Sequence, residues 1–247
     1  MFASSTARSL SPLVAEFALA MILNLLRDIP DRVAAVRRGE WWDGWEDVRG
    51  FTAGGLAGRS VGLAGFGAIC RRLAELLAPF GCTVSAYDPF VSGAVLAAAG
   101  VLPAASLAEL AAGSEIFVVG IPVTPATRGV VDRETIEALP RGSLLVLASR
   151  MGVVEQEALW RRTRAGELRA AIDVFEPEPP PTDSPIRTDV NVLPTPHIGG
   201  NTAYANRLCF RLACLEAVRV VHGEPSGYAM TAADAAIYGG SAGISGG

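Results

Sequence analysis

His197, Glu178 and Arg150 are the side chains of this sequence best placed to do chemistry, and each lies just past a segment that reads as a buried strand. An imidazole gives and takes a proton near neutral pH. A carboxylate can hold that imidazole, and a planar guanidinium can grip a second carboxylate at two points. Ahead of these three, Gly65-Phe66-Gly67 closes a strand-to-helix turn, and Asp88 ends the following strand 21 residues after Gly67. In this order the residues describe a nicotinamide-binding sheet with an acid/base histidine, a carboxylate to hold it and an arginine to hold a substrate.

The turn Gly65-Phe66-Gly67-Ala68-Ile69-Cys70 has the parts needed to seat a dinucleotide. The first glycine permits the tight turn, and the second lets the backbone approach a pyrophosphate. The helix start then offers the N–H groups of Ala68 and Ile69. Cys70 stands where a third glycine is usual. Asp88 is placed to accept hydrogen bonds from the adenosine ribose hydroxyls. The next residues, Pro89-Phe90, bring no Arg or Lys to hold a ribose phosphate, so NAD is expected rather than NADP. Each feature has a plainer reading: an ordinary glycine turn, a strand-end Asp capping a turn, a His satisfied within its own turn, and a Glu solvated among prolines. Their joint occurrence argues for the cofactor. The other histidine, His222, ends the last helix, where a cation suits the helix dipole.

The elements that must position these residues follow a βα rhythm. Ser11-Pro12 opens a helix with apolar Leu13, Val14, Phe17, Ala18, Met21, Ile22 and Leu25 at helical spacing. Pro30 is expected to end it, and a second short helix to run to Arg38. Trp41, Trp42 and Trp45 load one loop with indole and predict a contact surface. Strands are expected over Ser60 to Gly65, Thr83 to Tyr87, Ile116 to Ile121, Ser143 to Ala148, Ala170 to Val174 and Asn191 to Leu193. Helices are expected over Ile69 to Pro79, Ala94 to Ala99, Leu107 to Ala112, Arg133 to Leu139, Glu155 to Ala165 and Asn201 to His222. Six short apolar runs separated by helices predict an α/β fold: a Rossmann-type, doubly wound parallel sheet with helices on both faces.

The bulk properties agree. The chain has 247 residues, 50% of them hydrophobic, enough for one large α/β domain. A net charge of -4 argues against a nucleic-acid partner. All 21 basic residues are Arg. Cys70, Cys82, Cys209 and Cys214 have no metal-ligand spacing and read as packing residues of a reducing cytosol, so no metal is expected and the location is read as cytoplasmic. Leu13 to Leu26 is too short to span a bilayer and lacks a cleavage site, so no membrane association is expected.

The residues resemble a known family, the D-isomer-specific 2-hydroxyacid dehydrogenases. The matching stretches are Leu13 to Leu19, Gly65 to Ile69, Tyr87-Asp88-Pro89, Ile121 to Arg128, Ala148 to Val154, Asp173 to Pro179 and Thr195 to Gly200, in order across roughly residues 10 to 222. The resemblance implies that His197 is the proton donor when a 2-oxo acid is reduced and the acceptor in reverse. It implies that Glu178 rather than Glu176 holds the imidazole and that Arg150 binds the substrate carboxylate and polarises its carbonyl. Asp173 and the Ala148 carbonyl would orient the nicotinamide carboxamide, and Pro122 and Gly200 would complete the cofactor contacts. A small 2-hydroxy or 2-oxo acid is the implied substrate, and a homodimer the implied assembly, formed through the first helix and the Trp41 to Trp45 loop. The plainer alternative is that both segments cover their own core.

Three positions depart from the family pattern. Cys70 replaces a glycine, Gly120 stands where many members have His, and Met151 interrupts a frequent Arg-Gly-Gly. Members also begin with a separate substrate domain of roughly a hundred residues, whereas Met1 here lies just ahead of the helix that links the two domains. The expected organisation is a linking and dimerisation helix over 1–28, a dinucleotide-binding domain over 29–222 and a Gly/Ala/Ser-rich tail over 223–247. Weak or absent turnover is expected of the chain as given. The competing expectation is an NAD-binding dimer module, or a fragment, with little catalysis.

Overall fold

The computed structural model describes residues 9–41 and 54–229; Trp42 and Trp45 of the expected contact loop, and residues 230–247 of the tail, lie outside them. Seven parallel strands form one sheet in the order β3-β2-β1-β4-β5-β6-β7. They are β1 (Ser60–Ala64), β2 (Thr83–Tyr87), β3 (Leu102–Pro103), β4 (Ile116–Val119), β5 (Ser143–Leu147), β6 (Leu168–Ile172) and β7 (Val192–Pro194). The strand order reverses between β1 and β4, which opens a crevice at the carboxyl ends of those strands.

The central strands read as unbroken apolar runs because both of their faces are covered. On β4, Ile116 and Val118 point to one side, and Phe117 and Val119 to the other. On β5, Leu144 and Val146 share the first side, and Leu145 and Leu147 the second. The first side is closed by α1 (Ser11–Arg27), α3 (Ala68–Leu77) and α4 (Gly93–Ala98), through Ile22, Leu25, Leu73, Leu77 and Leu96. The second is closed by α5 (Leu107–Ala112), α6 (Arg133–Ala138) and α7 (Gln156–Arg164), through Leu110, Ile136 and Leu159. Helices on both faces of one parallel sheet are the doubly wound arrangement the apolar periodicity predicts.

The structure corrects several readings. There are seven strands rather than six: β3 is two residues long, contains Pro103 and pairs at the sheet edge beside β2, so it carries no apolar run. Pro30 does not end α1. Asp28 does, in the left-handed conformation at φ 52, and Pro30 sits in the first turn of α2 (Ile29–Arg37). A missing N–H is harmless there. Asp28 is held by an ion pair with Arg169 of β6, whose Nη1 also donates to the Leu25 carbonyl at 2.8 Å. Of the apolar stripe of α1, Ala18, Ile22 and Leu25 are buried against its own chain, where the helix packs on α3, β5 and β6, while Leu13, Val14, Phe17 and Met21 are half-buried. Cys214 is exposed on the last helix, α8 (Ala203–Val221), so packing does not account for it. Among the described residues no helix is long and apolar enough to cross a membrane.

Candidate active site

Gly65 directly follows β1 and takes φ 88, a conformation that a side chain would strain. Its N–H donates to the Tyr87 carbonyl at 2.8 Å, which stitches the turn to β2. Gly67 caps α3 in extended geometry, and a Cβ placed on it would meet nothing within 4 Å. Ala68 and Ile69 begin the helix, where first-turn N–H groups have no partner within it. Asp88 stands beyond β2 with both oxygens turned to backbone: Oδ2 accepts from Phe66 N at 2.8 Å and Oδ1 from Phe90 N at 2.9 Å. The Arg71 guanidinium lies 4.8 Å from the centre of the Phe66 ring, over its face.

His197 lies past β7 with φ 52, one of two non-glycine residues in the left-handed region among those described. Such a conformation costs on the order of 1–3 kcal/mol and persists only when surroundings enforce it. Asp173, buried beyond β6, enforces it. Its carbonyl accepts from His197 N at 2.9 Å. Its Oδ1 accepts from Thr195 Oγ1 at 2.6 Å and Ile198 N at 2.9 Å, and its Oδ2 from Gly199 N at 2.8 Å. Gly199 is closed in: a Cβ there would lie 2.9 Å from the Phe17 ring of α1. Held this way, His197 brings Nδ1 within 2.8 Å of Glu178 Oε1 and leaves Nε2 for another partner.

Arg150 follows β5 and is exposed; its Nη1 reaches only the neighbouring Ser149 carbonyl at 3.4 Å, and no carboxylate among the described residues pairs with it. Ala148 donates its N–H to the Val119 carbonyl at 3.0 Å, at the join of β4 and β5. Pro122 follows β4, and its carbonyl accepts from Thr127 Oγ1 at 2.6 Å. Gly200 packs under α1, where a Cβ would lie 3.4 Å from Val14. All the expected site residues therefore lie at the carboxyl edge of one sheet. Among those described, no group of three or more His, Cys, Asp or Glu side chains could hold a metal ion.

This arrangement gives a strand-to-helix anion cradle, a strand-end carboxylate, a guanidinium without a counter-charge, and a histidine tied by one nitrogen to a glutamate. Residues 19–199 match the family described as D-isomer specific 2-hydroxyacid dehydrogenase, NAD binding domain. The chain belongs to that family. It is 32% identical over 212 residues to a D-3-phosphoglycerate dehydrogenase of Methanocaldococcus jannaschii, covering 85% of this chain and 39% of that protein. It is 34% identical over 202 residues to a hydroxypyruvate reductase of Thermotoga maritima, covering 80% of this chain and 62% of that one. The solved structure of a D-isomer specific 2-hydroxyacid dehydrogenase from Xanthobacter autotrophicus Py2, in complex with NADPH and MES, superposes with a TM-score of 0.73. That chain is 31% identical, and the match covers 94% of this chain and 91% of it.

The residues present fit the NAD of this 2-hydroxyacid dehydrogenase family. Open space above Gly67 is what a pyrophosphate needs, and the first turn of α3 faces it. Asp88 keeps a second lone-pair direction on each oxygen for a ribose hydroxyl. Sequence reasoning missed two supports of the site. One is the Thr195 hydroxyl on Asp173; the other is an ion pair from Arg128 Nη1 to Glu176 Oε1 at 2.9 Å, which ties the loop after β4 to the loop carrying Glu178. Charge and position were visible for Arg128 and Glu176, but nothing in the spacing aligned two loops 48 residues apart.

Proposed function

We propose that this chain is the cofactor-binding, catalytic part of an NAD-dependent D-2-hydroxyacid dehydrogenase that interconverts a D-2-hydroxy acid and a 2-oxo acid. The chain spans 39% and 62% of the two curated relatives named above, and activity and substrate are read from its own residues. One observation carries the proposal: His197 presents Nε2 while Glu178 occupies Nδ1 at 2.8 Å. A histidine held by one nitrogen has a fixed ring direction and a single proton-transfer atom.

Hydride transfer to or from the substrate C2 is the chemistry that bound NAD supplies. Arg150 binds the substrate carboxylate with its free fork and draws charge toward the carbonyl oxygen. His197 Nε2 gives that oxygen its proton in reduction and removes the hydroxyl proton in oxidation. Glu178 holds the ring through both directions. Asp173 keeps the imidazole on station by bracing the turn from Thr195 to Gly199, and the one lone-pair direction left on its Oδ2, with the Ala148 carbonyl, suits the nicotinamide carboxamide.

The test is NADH oxidation by the 247-residue chain across a panel of short 2-oxo acids, beside a His197→Ala variant. Turnover that disappears in the variant supports the proposal. Turnover unchanged in the variant sinks it.

A cytoplasmic homodimer completes the proposal. α2 buries none of its residues and shows Ile29, Val33 and Val36 to solvent, with Trp41 83% exposed beyond its end. Such a face is better covered than wet. A monomeric mass by light scattering would reject the dimer.

A further inference from the structure

Two departures from the family pattern meet in space. Cys70 occupies the third-glycine position in the first turn of α3, and Gly120 follows β4. Because Ala64 pairs with Val119, the glycine turn and residue 120 emerge side by side. A Cβ built on Gly120 would lie 2.3 Å from Cys70 Sγ, and the next heavy atom, the Ala64 carbonyl oxygen, is 3.7 Å away. The clash is thus with the thiol alone. The backbone of Gly120 also lines Gly65: a Cβ on Gly65 would stand 3.3 Å from the Gly120 carbonyl carbon. Its N–H donates to the Ala64 carbonyl at 2.9 Å, which fixes it against β1.

In the usual turn, a glycine on the helix lets helix and strand approach closely. Here the helix carries a thiol with no exposed surface, and the glycine stands on the strand side of the same contact. We propose that Gly120 is a positioning residue for the cofactor: it takes over the role of the missing third glycine by giving the Cys70 thiol the volume its own side chain would fill, which keeps the N-terminus of α3 at pyrophosphate distance. The thiol suits the place because burial, with the nearby Asp88 charge, pushes its pKa up to about 12 and keeps it neutral. A side chain at position 120 would have to displace either a fully buried sulfur or the helix, and the helix carries the Ala68 and Ile69 N–H groups with it.

The proposal rests on NAD binding and not on turnover, so binding is what should be measured. NADH fluorescence titration of the full chain gives Kd, and thermal unfolding without cofactor gives Tm. Gly120→Ala should weaken NADH binding about tenfold, since overfilling a packed contact shifts backbone. Cys70→Gly should lower Tm through the cavity it leaves, yet keep Kd within about threefold of the parent. The double variant Cys70→Gly/Gly120→Ala, which moves the glycine back to the helix, should return Kd to within about threefold of the parent. Cys70→Val presses the same contact from the helix side and should weaken binding as Gly120→Ala does, which keeps the test open if Gly120→Ala does not fold. An unchanged Kd in Gly120→Ala or Cys70→Val, or a double variant as weak as Gly120→Ala, would overturn the proposal.

Discussion

The two edges of the sheet handle charge in opposite ways. At the amino edge, charged side chains are matched within the protein. Glu115 receives Ser60 N at 3.0 Å and pairs with Arg59, tying the start of β1 to the start of β4. Arg162 is buried, and its Nε reaches Glu167 at 3.1 Å while Nη1 reaches the carbonyls of Ile136 and Leu139. At the carboxyl edge, Asp88 and Asp173 are held by backbone N–H groups and a hydroxyl instead of by arginines. Arg150 has no counter-charge among the described residues, and the Arg128–Glu176 and His197–Glu178 pairs are the exceptions. One edge has spent its charges on the fold. The other orients them without neutralising them, which leaves them for a guest.

Substitutions can break this contrast, and the largest effect belongs to the carboxyl edge. His197→Ala should lower turnover about 10³-fold, roughly 4 kcal/mol, while NADH affinity stays within a few-fold. Parallel steady-state kinetics and NADH titration would show it; equal losses in both would mean that the histidine supports the fold. Next comes the amino edge. Arg162→Met strands two carbonyls and Glu167, and urea unfolding should show a loss of about 3 kcal/mol with NADH affinity unchanged. Glu178→Gln should reduce kcat/KM by about 30-fold, near 2 kcal/mol, with little change in the urea midpoint, because it frees the ring without opening the core.

The smallest effect sharpens the comparison through pH. Burial pushes the Glu115 pKa up, but the Ser60 N–H and the Arg59 guanidinium outweigh it and hold it below the ordinary 4.5. A depressed carboxylate pKa adds stability above the unfolded value, and that addition is lost as pH falls through the folded one. Glu115→Gln should therefore cost about 0.5 kcal/mol at neutral pH, a half-buried pair at the sheet edge still being screened by solvent. The difference from the parent should fade as pH drops below 4.5, as read by urea unfolding at several pH values.

What the sequence made legible follows from where the physics is local. The central strands announced themselves because a parallel strand covered on both faces must be apolar throughout, as Ile116 to Val119 are. Gly65 was legible because its left-handed turn restricts residue type, and Gly67 because a backbone that a pyrophosphate approaches favours a residue without a side chain. β3 was not, since two residues with a proline at a sheet edge carry no period. The same limit hid the Cys70–Gly120 contact and the Arg169–Asp28 pair, which join residues far apart in the chain. Pro30 was misread because a proline both closes and opens helices, and the left-handed Asp28 that decides between them leaves no compositional mark. At the site, the residue types of His197, Glu178 and Arg150 could be picked out by strand ends, but the imidazole's direction depends on a left-handed backbone braced by Asp173, which spacing does not encode.

The contact between Arg169 and Leu25, 144 positions apart, has a consequence for the birth of the molecule. α1 leaves the ribosome well before β5 and β6, on which it rests and which are the fifth and sixth of the seven strands. At a synthesis rate of about 5–20 residues per second, its apolar underside waits roughly 7–30 s for them. During that interval α3 is its only early neighbour among the elements of this chain it packs on most, so the seat of the helix is complete only once residue 172 has emerged.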